Sequence, residues 1–459
     1  MNRSASEIAR IVSGFAEGAA DVVLSGAEVD SRNVEPGDLF VALRGSRSDG
    51  HAFVDEALAV AGAALVRFDA ELDTIPTGRA LIRVEDPLKA YWTLALNERR
   101  ERGWTVVAIT GSVGKTTTKE MLAGILAADR AVGSTSGNRN STLGLPAEVL
   151  SQPEGIELFV AETGMSRAGE LDVMGVILEP EVLLYTTIAP VHREFFSSIE
   201  GIVEAKAELL GHLDANGTLV INADDPHQAD FPARTPATLL RYGSRDADAR
   251  IEDLVDRGLQ GSRFSLHLPS GSVSVELPLA GRHQAENFLA AATAAHAFDV
   301  GVDTVAAVAS SLQAAPRRGR IHRHDSGATI VDDSYNASPL AVRRLLELLA
   351  AEPNRRIAVL GEMYELGESA AEAHREVGRE AAGAADLLIT VGGDDAAKIA
   401  EAARAAGLSD HAVHEATDAE DAAELLGNLL ESRDIVLIKG SRGVGLDRTV
   451  DLLIEGSET

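Results

Sequence analysis

The chain has 459 residues, 45% apolar and 25% charged, and at roughly 100–200 residues per domain it predicts two to four globular domains. With 71 acidic against 42 basic residues its formal net charge is −29, which disfavours the basic surface that sequence-independent nucleic-acid binding needs. It contains no cysteine, which excludes disulfides, thiolate metal sites and cysteine nucleophiles.

No window approaches the roughly 18 apolar residues of a membrane span. The longest such run, Ala57 to Val66, ends at Arg67. The start, with Arg3 and Glu7, carries no apolar leader segment. A cytoplasmic monomer without membrane insertion or nucleic-acid partner is expected.

In chain order, a short α/β region comes first. Asp86-Pro87 is a strong helix start, an acidic cap before a first-turn proline, and predicts a boundary near Glu85. Apolar runs then alternate with helical stretches: Thr105–Thr110, Glu157–Glu162, Glu181–Ile188, Thr218–Ile221, Thr329–Val331, Arg356–Leu360, Leu387–Val391 and Asp434–Ile438. That alternation predicts α/β domains with parallel sheets, whose ligands bind at the carboxyl ends of strands. Nearly every run ends in polar or glycine residues, among them Gly111, Thr163-Gly164, Asn222, Asp333, Gly361 and Gly440. The polar break Pro316-Arg317-Arg318-Gly319 predicts a second boundary near Ala315. The expected domains are 1–85, 86–315 and 316–459. The tail from Glu455 is polar and expected to fray.

The first run leads into Thr110-Gly111-Ser112-Val113-Gly114-Lys115-Thr116-Thr117 and then a helix. Glycines let backbone N–H groups close around phosphate oxygens, and a helix N-terminus adds a favourable dipole. Lys115 is expected to reach the outer phosphates of ATP and the Thr116 hydroxyl to hold magnesium. The strict motif wants glycine at position 109, where this chain has Ile109.

Further on, a helix is expected from Glu200 to Leu213. Ile202, Val203, Leu209, Leu210 and Leu213 share the face of Lys206. Two readings are open. The lysine stem lies on the apolar face with its head in water, or the amine has a buried partner or altered chemistry. Glu162, at a strand end, is either a surface glutamate or a ligand for a hard cation. His192 follows the run Glu181–Ile188 and is either structural or functional.

Taken together, Thr110-Gly111 to Thr117, Gly137-Asn138-x-Asn140, Glu162-x-Gly164, His192 and Ala205-Lys206-Ala207-Glu208 resemble the ATP domain of the Mur ligases. Asp332-Asp333-Ser334-Tyr335-Asn336-Ala337-x-Pro339, Leu360-Gly361-Glu362-Met363-x-Glu365-Leu366-Gly367, His374-Arg375-Glu376 and Lys439-Gly440-Ser441-Arg442-Gly443 resemble the MurF branch. Asp30-Ser31-Arg32, Gly37-Asp38-Leu39-Phe40-Val41-Ala42 and Asp49-Gly50-His51 resemble the nucleotide-sugar domain of the MurF and MurE branches.

The resemblance implies a small α/β UDP-sugar domain, a central P-loop ATPase domain and a Rossmann-like ligase domain. It implies an ATP-dependent amide ligase that joins D-alanyl-D-alanine to UDP-N-acetylmuramoyl-tripeptide through an acyl phosphate. It implies two magnesium ions, with Thr116, Glu162, His192 and a carbamate on Lys206 as ligands. It places Asn287 at adenine, Arg320 and Asp333 at ATP, Ser31 and Arg32 at uridine, and Asn138, Asn140, Tyr335 and Asn336 at substrate. Thr187, Ala189, Ser141 and Ser338 depart from the pattern. A MurE-like or other Mur-family amino-acid ligase, an ATP-dependent amide ligase acting on another peptide or a folate-like acid, and a non-catalytic nucleotide-binding regulator are the competing readings.

Overall fold

The computed structural model describes residues 1–45, 48–71, 74–191, 193–244 and 246–455, with Glu455 described by its backbone alone. His192 and the tail beyond Glu455 lie outside the described residues.

The first sheet has five strands in the order Phe15–Gly18, Ala80–Val84, Ala63–Arg67, Asp38–Val41 and Gly26–Glu28, parallel except for Phe15–Gly18. The helix Pro87–Arg102 follows. Asp86 caps it through Leu88 N and Lys89 N, with the proline in the first turn and Gly103 closing the end at φ 64°.

The second sheet has six parallel strands, ordered Thr238–Tyr242, Thr218–Asn222, Val182–Tyr185, Thr105–Thr110, Leu158–Glu162 and Val132–Ser134. Successive side chains leave opposite faces of such a sheet, and both faces must be covered. Val106, Ala108, Phe159, Ala161, Leu183 and Tyr185 enter one core. Val107, Ile109, Leu158, Val160, Val182 and Leu184 enter the other. The chain leaves Thr105–Thr110 first to one side and then to the other, so the crevice beyond that strand is a topological switch point where ligands bind.

A three-stranded antiparallel sheet, Arg250–Asp256, Ser262–Leu268 and Gly271–Leu277, was not anticipated. Its Ser, Arg and Glu residues hide a period-two pattern whose inward members include Phe264, Leu266, Val275 and Leu277. The expected helix from Glu200 to Leu213 is α-helical over Ile199–Ala207 and tightens into a 3-10 turn at Glu208–His212. Glu208 bends away there, because its carboxylate accepts from Gly169 N (2.7 Å) and Asp172 N (3.1 Å). The strand expected over Glu181–Ile188 ends at Tyr185, where the chain turns to pair with the phosphate loop.

The third sheet orders Arg320–Arg323, Thr329–Asp332, Ile435–Lys439, Arg356–Gly361, Leu387–Val391 and Val413–Ala416, parallel after its first, antiparallel pair. Among the described residues no helix is long and apolar enough to cross a membrane.

The two junctions between sheets differ. One continuous core includes Leu39 and Ile82 of the first sheet, Tyr91 and Leu94 of the connecting helix, and Phe159 of the second sheet. The third sheet has two cores of its own, one of which Ala280 and Leu259 reach from the central region. Between the second and third sheets lie an Arg344–Glu286 ion pair (3.2 Å), the bonds Leu259 N to Glu352 Oε1 (3.1 Å) and Glu194 N to Glu365 O (3.2 Å), and a cavity of about 580 Å3.

Candidate active site

The cavity opens at the carboxyl end of Thr105–Thr110, where the loop Gly111–Gly114 leads into the helix Lys115–Leu126. Gly111 has φ 147°, and a Cβ there would come within 1.9 Å of Thr186 Oγ1. Gly114 has φ 89°, and a Cβ there would come within 2.4 Å of Asn287 Oδ1. Both positions therefore require glycine. No side chain caps the helix, so its first N–H groups face the cavity, a ready anion site. Ile109 needs no glycine: it is a buried strand residue whose carbonyl accepts from Thr163 N (2.8 Å) and Thr163 Oγ1 (3.1 Å).

The segment after Tyr185 is stitched to this loop by backbone atoms. Thr187 O accepts from Ser112 N (2.7 Å). Ser112 Oγ donates to Ala189 O and accepts from Ala189 N, each at 2.9 Å. The departures at Thr187 and Ala189 thus leave the stitching intact, because none of these contacts uses their side chains.

Three groups meet below the loop. Thr116 Oγ1 donates to Glu162 Oε2 (2.6 Å), and Asn140 Nδ2 donates to Glu162 Oε1 (2.6 Å). Lys115 Nζ lies 3.5 Å from Ser112 O. Burial lowers the Lys115 pKa; nearby Glu162 opposes that shift and Arg318 adds to it. Lys206 is 2% exposed and donates to Gly111 O (2.9 Å). Of the two readings of this lysine, the head does not reach bulk water. Burial, with Lys115 adding to it, holds its pKa well below the ordinary lysine range. Lys119 makes the contrast. It is as buried, yet has both the Glu120 carboxylate and Thr135 O as partners at 2.5 Å.

The opposite wall comes from the third sheet. Asp333, Tyr335, Asn336, Lys439, Ser441 and Arg442 line the cavity, as do Asn287, His283 and Gln284 from the helix Arg282–His296. Lys439, 3% exposed, pairs with Asp333 and donates to Asn336 O (2.8 Å). Burial pushes the His283 pKa down to about 4, against a smaller opposing pull from Asp333. The loop Gly361–Gly367 is held by His374. Its Nε2 accepts from Met363 N (2.9 Å), which fixes the proton on Nδ1, bonded to Ala370 O (2.7 Å).

Most sequence-predicted residues converge here: Gly111, Ser112, Val113, Gly114, Lys115, Thr116, Thr117, Asn138, Asn140, Glu162, Lys206, Asn287, Asp333, Tyr335 and Asn336. Thr110 does not line the cavity; it ends its strand and accepts from Thr186 N (2.8 Å). Arg320 is exposed on its edge strand, while Arg318, two residues earlier, lines the cavity. In the sequence Arg318 reads as part of a domain boundary, because proline and glycine flank it. His283, Lys439 and Arg442 also line the cavity and have no assigned role in the sequence reading, although Lys439 and Arg442 lie in a quoted motif.

Ser31 and Arg32 form a 3-10 turn on the first sheet, with Arg32 paired to Asp30 (2.6 Å), apart from the cavity. A chain of polar contacts connects that turn to the loop. Glu28 Oε1 accepts from Val29 N (2.8 Å) and Asp30 N (3.2 Å), and Glu28 Oε2 from Arg139 Nη2 (2.6 Å). Arg139 stands between Asn138 and Asn140. Asp49-Gly50-His51 is a hydrogen-bonded turn. His51 Nε2 accepts from Arg67 N (3.1 Å), so Nδ1 carries the proton and donates to Asp49 (2.7 Å).

Among the described residues no three His, Asp or Glu side chains gather into a metal cage. The Thr116–Glu162 pair instead suits magnesium, which uses one or two carboxylates together with phosphate oxygens.

A glycine loop and an uncapped helix at the switch point of a parallel sheet, with a third domain completing the cavity, define a P-loop nucleotide-binding protein. Residues 109–295 match the Mur ligase middle domain, 317–442 the glutamate ligase domain of Mur ligases, and 24–96 the catalytic domain of the Mur ligase family. The chain is 32% identical over 461 residues to the UDP-N-acetylmuramoyl-tripeptide--D-alanyl-D-alanine ligase of Bacillus subtilis, covering 99% of each. A crystal structure of MurF from Acinetobacter baumannii superposes with TM-score 0.89 at 28% identity over 99% of both chains. MurF from Thermotoga maritima, in complex with ADP, gives 0.79 at 31% identity over 94% of this chain and 98% of that one. The chain belongs to the Mur ligase family.

Proposed function

We infer that the protein is a MurF-type ligase, which uses ATP to join D-alanyl-D-alanine to UDP-N-acetylmuramoyl-tripeptide in peptidoglycan precursor synthesis. The full-length similarity to ligases of that name supports it. The observation that carries the chemistry is Lys206, enclosed beside the phosphate loop with a carbonyl partner and, among the described residues, no carboxylate. The loop N–H groups and Lys115 bind the ATP phosphates. The terminal carboxylate of the tripeptide takes the γ-phosphoryl group. The dipeptide amine attacks the acyl phosphate, and phosphate leaves. Enclosure between the second and third domains keeps water from the acyl phosphate.

Thr116 and Glu162 would hold one magnesium ion; His192 and a carbamate on Lys206 would hold a second. Their chemistry is neutralisation of phosphate charge. Burial favours this assignment for Lys206, since a lysine kept neutral has the free electron pair that carbon dioxide needs. Asp333 and Asn287 flank the nucleotide, and Ser31 and Arg32 hold uridine. Arg320 belongs to the ATP site only if the third domain moves. Asn138, Asn140, Tyr335 and Asn336 face the peptide substrates. The domains are 1–85, 86–315 and 316–459, and the protein works as a cytoplasmic monomer.

The test is ADP release that requires both UDP-tripeptide and D-alanyl-D-alanine. Equal turnover with a single amino acid in place of the dipeptide would transfer the protein to MurE-like chemistry.

A further inference from the structure

Two arginines of the cavity wall lack the partners that their neighbours have. Arg317 pairs with Asp332 (3.1 Å) and Asp451 (2.5 Å), Arg344 with Glu286, and Lys439 with Asp333. Arg318 and Arg442 line the same cavity, and among the described residues neither has a carboxylate within ion-pair distance. In a chain of net charge −29 this is a local excess of positive charge. Both guanidinium groups lie over Tyr335, with their central carbons 4.0 Å and 5.3 Å from the ring centroid, and Arg442 Nη1 donates to Tyr335 Oη (3.2 Å). Contact with the ring restrains each guanidinium plane while leaving N–H edges free for a planar anion.

The ligase reading brings several anions to the enzyme. ATP phosphates have the loop amides, the helix end, Lys115 and the Thr116–Glu162 cation site. The nucleotide diphosphate belongs to the first domain. The acyl substrate approaches Asn138 and Asn140 on the wall opposite the arginines. The dipeptide reacts through its amine and keeps its terminal carboxylate, which none of these groups neutralises. Arginine meets a carboxylate with two parallel N–H···O bonds.

We propose that Arg318 and Arg442, held on Tyr335, bind the terminal carboxylate of the incoming D-alanyl-D-alanine, a proposal that rests on the ligase reading above. The pair therefore selects a dipeptide acid over a neutral analogue, and it acts on the amine substrate and on no other.

The experiment measures kcat/KM on the full chain, at saturating ATP and UDP-tripeptide, for D-alanyl-D-alanine and for its C-terminal amide. The wild type is expected to disfavour the amide by about 10- to 100-fold, as loss of charge-assisted hydrogen bonds implies. Arg442→Met and Arg318→Met should each raise the dipeptide KM by about tenfold or more, leave the KM for ATP and for tripeptide in place, and compress the acid-to-amide ratio toward one. Arg442→Lys, which keeps the charge without the fork, should recover part of the loss. Equal use of acid and amide by an active wild type overturns the proposal and leaves the ligase reading standing. So does a KM rise confined to ATP or tripeptide. A wild type that turns over neither dipeptide defeats the ligase reading and this proposal with it.

Discussion

The two domain junctions are built on opposite principles. Between the first and second sheets the apolar core is continuous, and the helix Pro87–Arg102 buries Tyr91 and Leu94 in it. Between the second and third sheets the contact is mainly polar, a cavity rimmed by the Arg344–Glu286 ion pair and hydrogen bonds from Leu259 N and Glu194 N, with Ala280 and Leu259 as its apolar contacts. A dry apolar seam is strong and non-directional, so it fixes two domains as one body. A polar seam is weak in net terms and leaves groups available to ligands, which suits the place where substrates must enter and leave.

Mutations should separate the two. The largest effect is expected at the polar seam but on turnover: Lys206→Ala should lower ADP release by about 10²–10³-fold, the scale of losing one preorganised charge-stabilising group, while thermal melting stays close to wild type. A regulator that only binds nucleotide would keep its ATP affinity and its action. Next comes the apolar seam. Leu94→Ala should cost about 2–5 kcal/mol by leaving a cavity where the side chain is fully buried. Denaturant unfolding would read this as a lower midpoint at unchanged slope.

A pH series probes the cavity from another side. His283 titrates near 4 when folded, below the ordinary imidazole value, because burial disfavours its charged form. Above about pH 6.5 both states are neutral at this group and it contributes no pH dependence. As pH falls from about 6.5 to 4 the unfolded chain gains the proton first, so stability declines, by at most about 1.4 kcal/mol per pH unit. His283→Gln should flatten that slope; an unaltered profile would assign it to other groups. The smallest change is expected for Arg344→Met. Its ion pair with half-exposed Glu286 should be worth under about 1 kcal/mol, and added salt should erase the difference.

The sequence was most informative where chemistry and periodicity coincide. The strand Thr105–Thr110 and its loop are legible because apolar β-formers stop at glycines that only the backbone needs. Lys206 is legible because a charge interrupts a helical apolar face. Arg318 was not, since its role depends on where Tyr335 arrives from seventeen positions on. The antiparallel sheet Arg250–Leu277 was missed because its outer face is too polar for period two to stand out. The Glu208 bend was missed because its cause is a tertiary contact with the amide of Gly169.

The Glu28–Arg139 contact has a consequence for length. One carboxylate oxygen of Glu28 holds the backbone leading to Ser31, and the other holds Arg139. Asn140 beside it holds Glu162, which holds Thr116. With the apolar weld behind it, this series sets a fixed span between the turn on the first sheet and the phosphate loop. On the ligase reading a substrate gripped at its nucleotide end is thereby measured by the protein, like stock between caliper jaws. A peptide arm one residue too short would leave its carboxylate stranded before the γ-phosphoryl group, however tightly the nucleotide is bound.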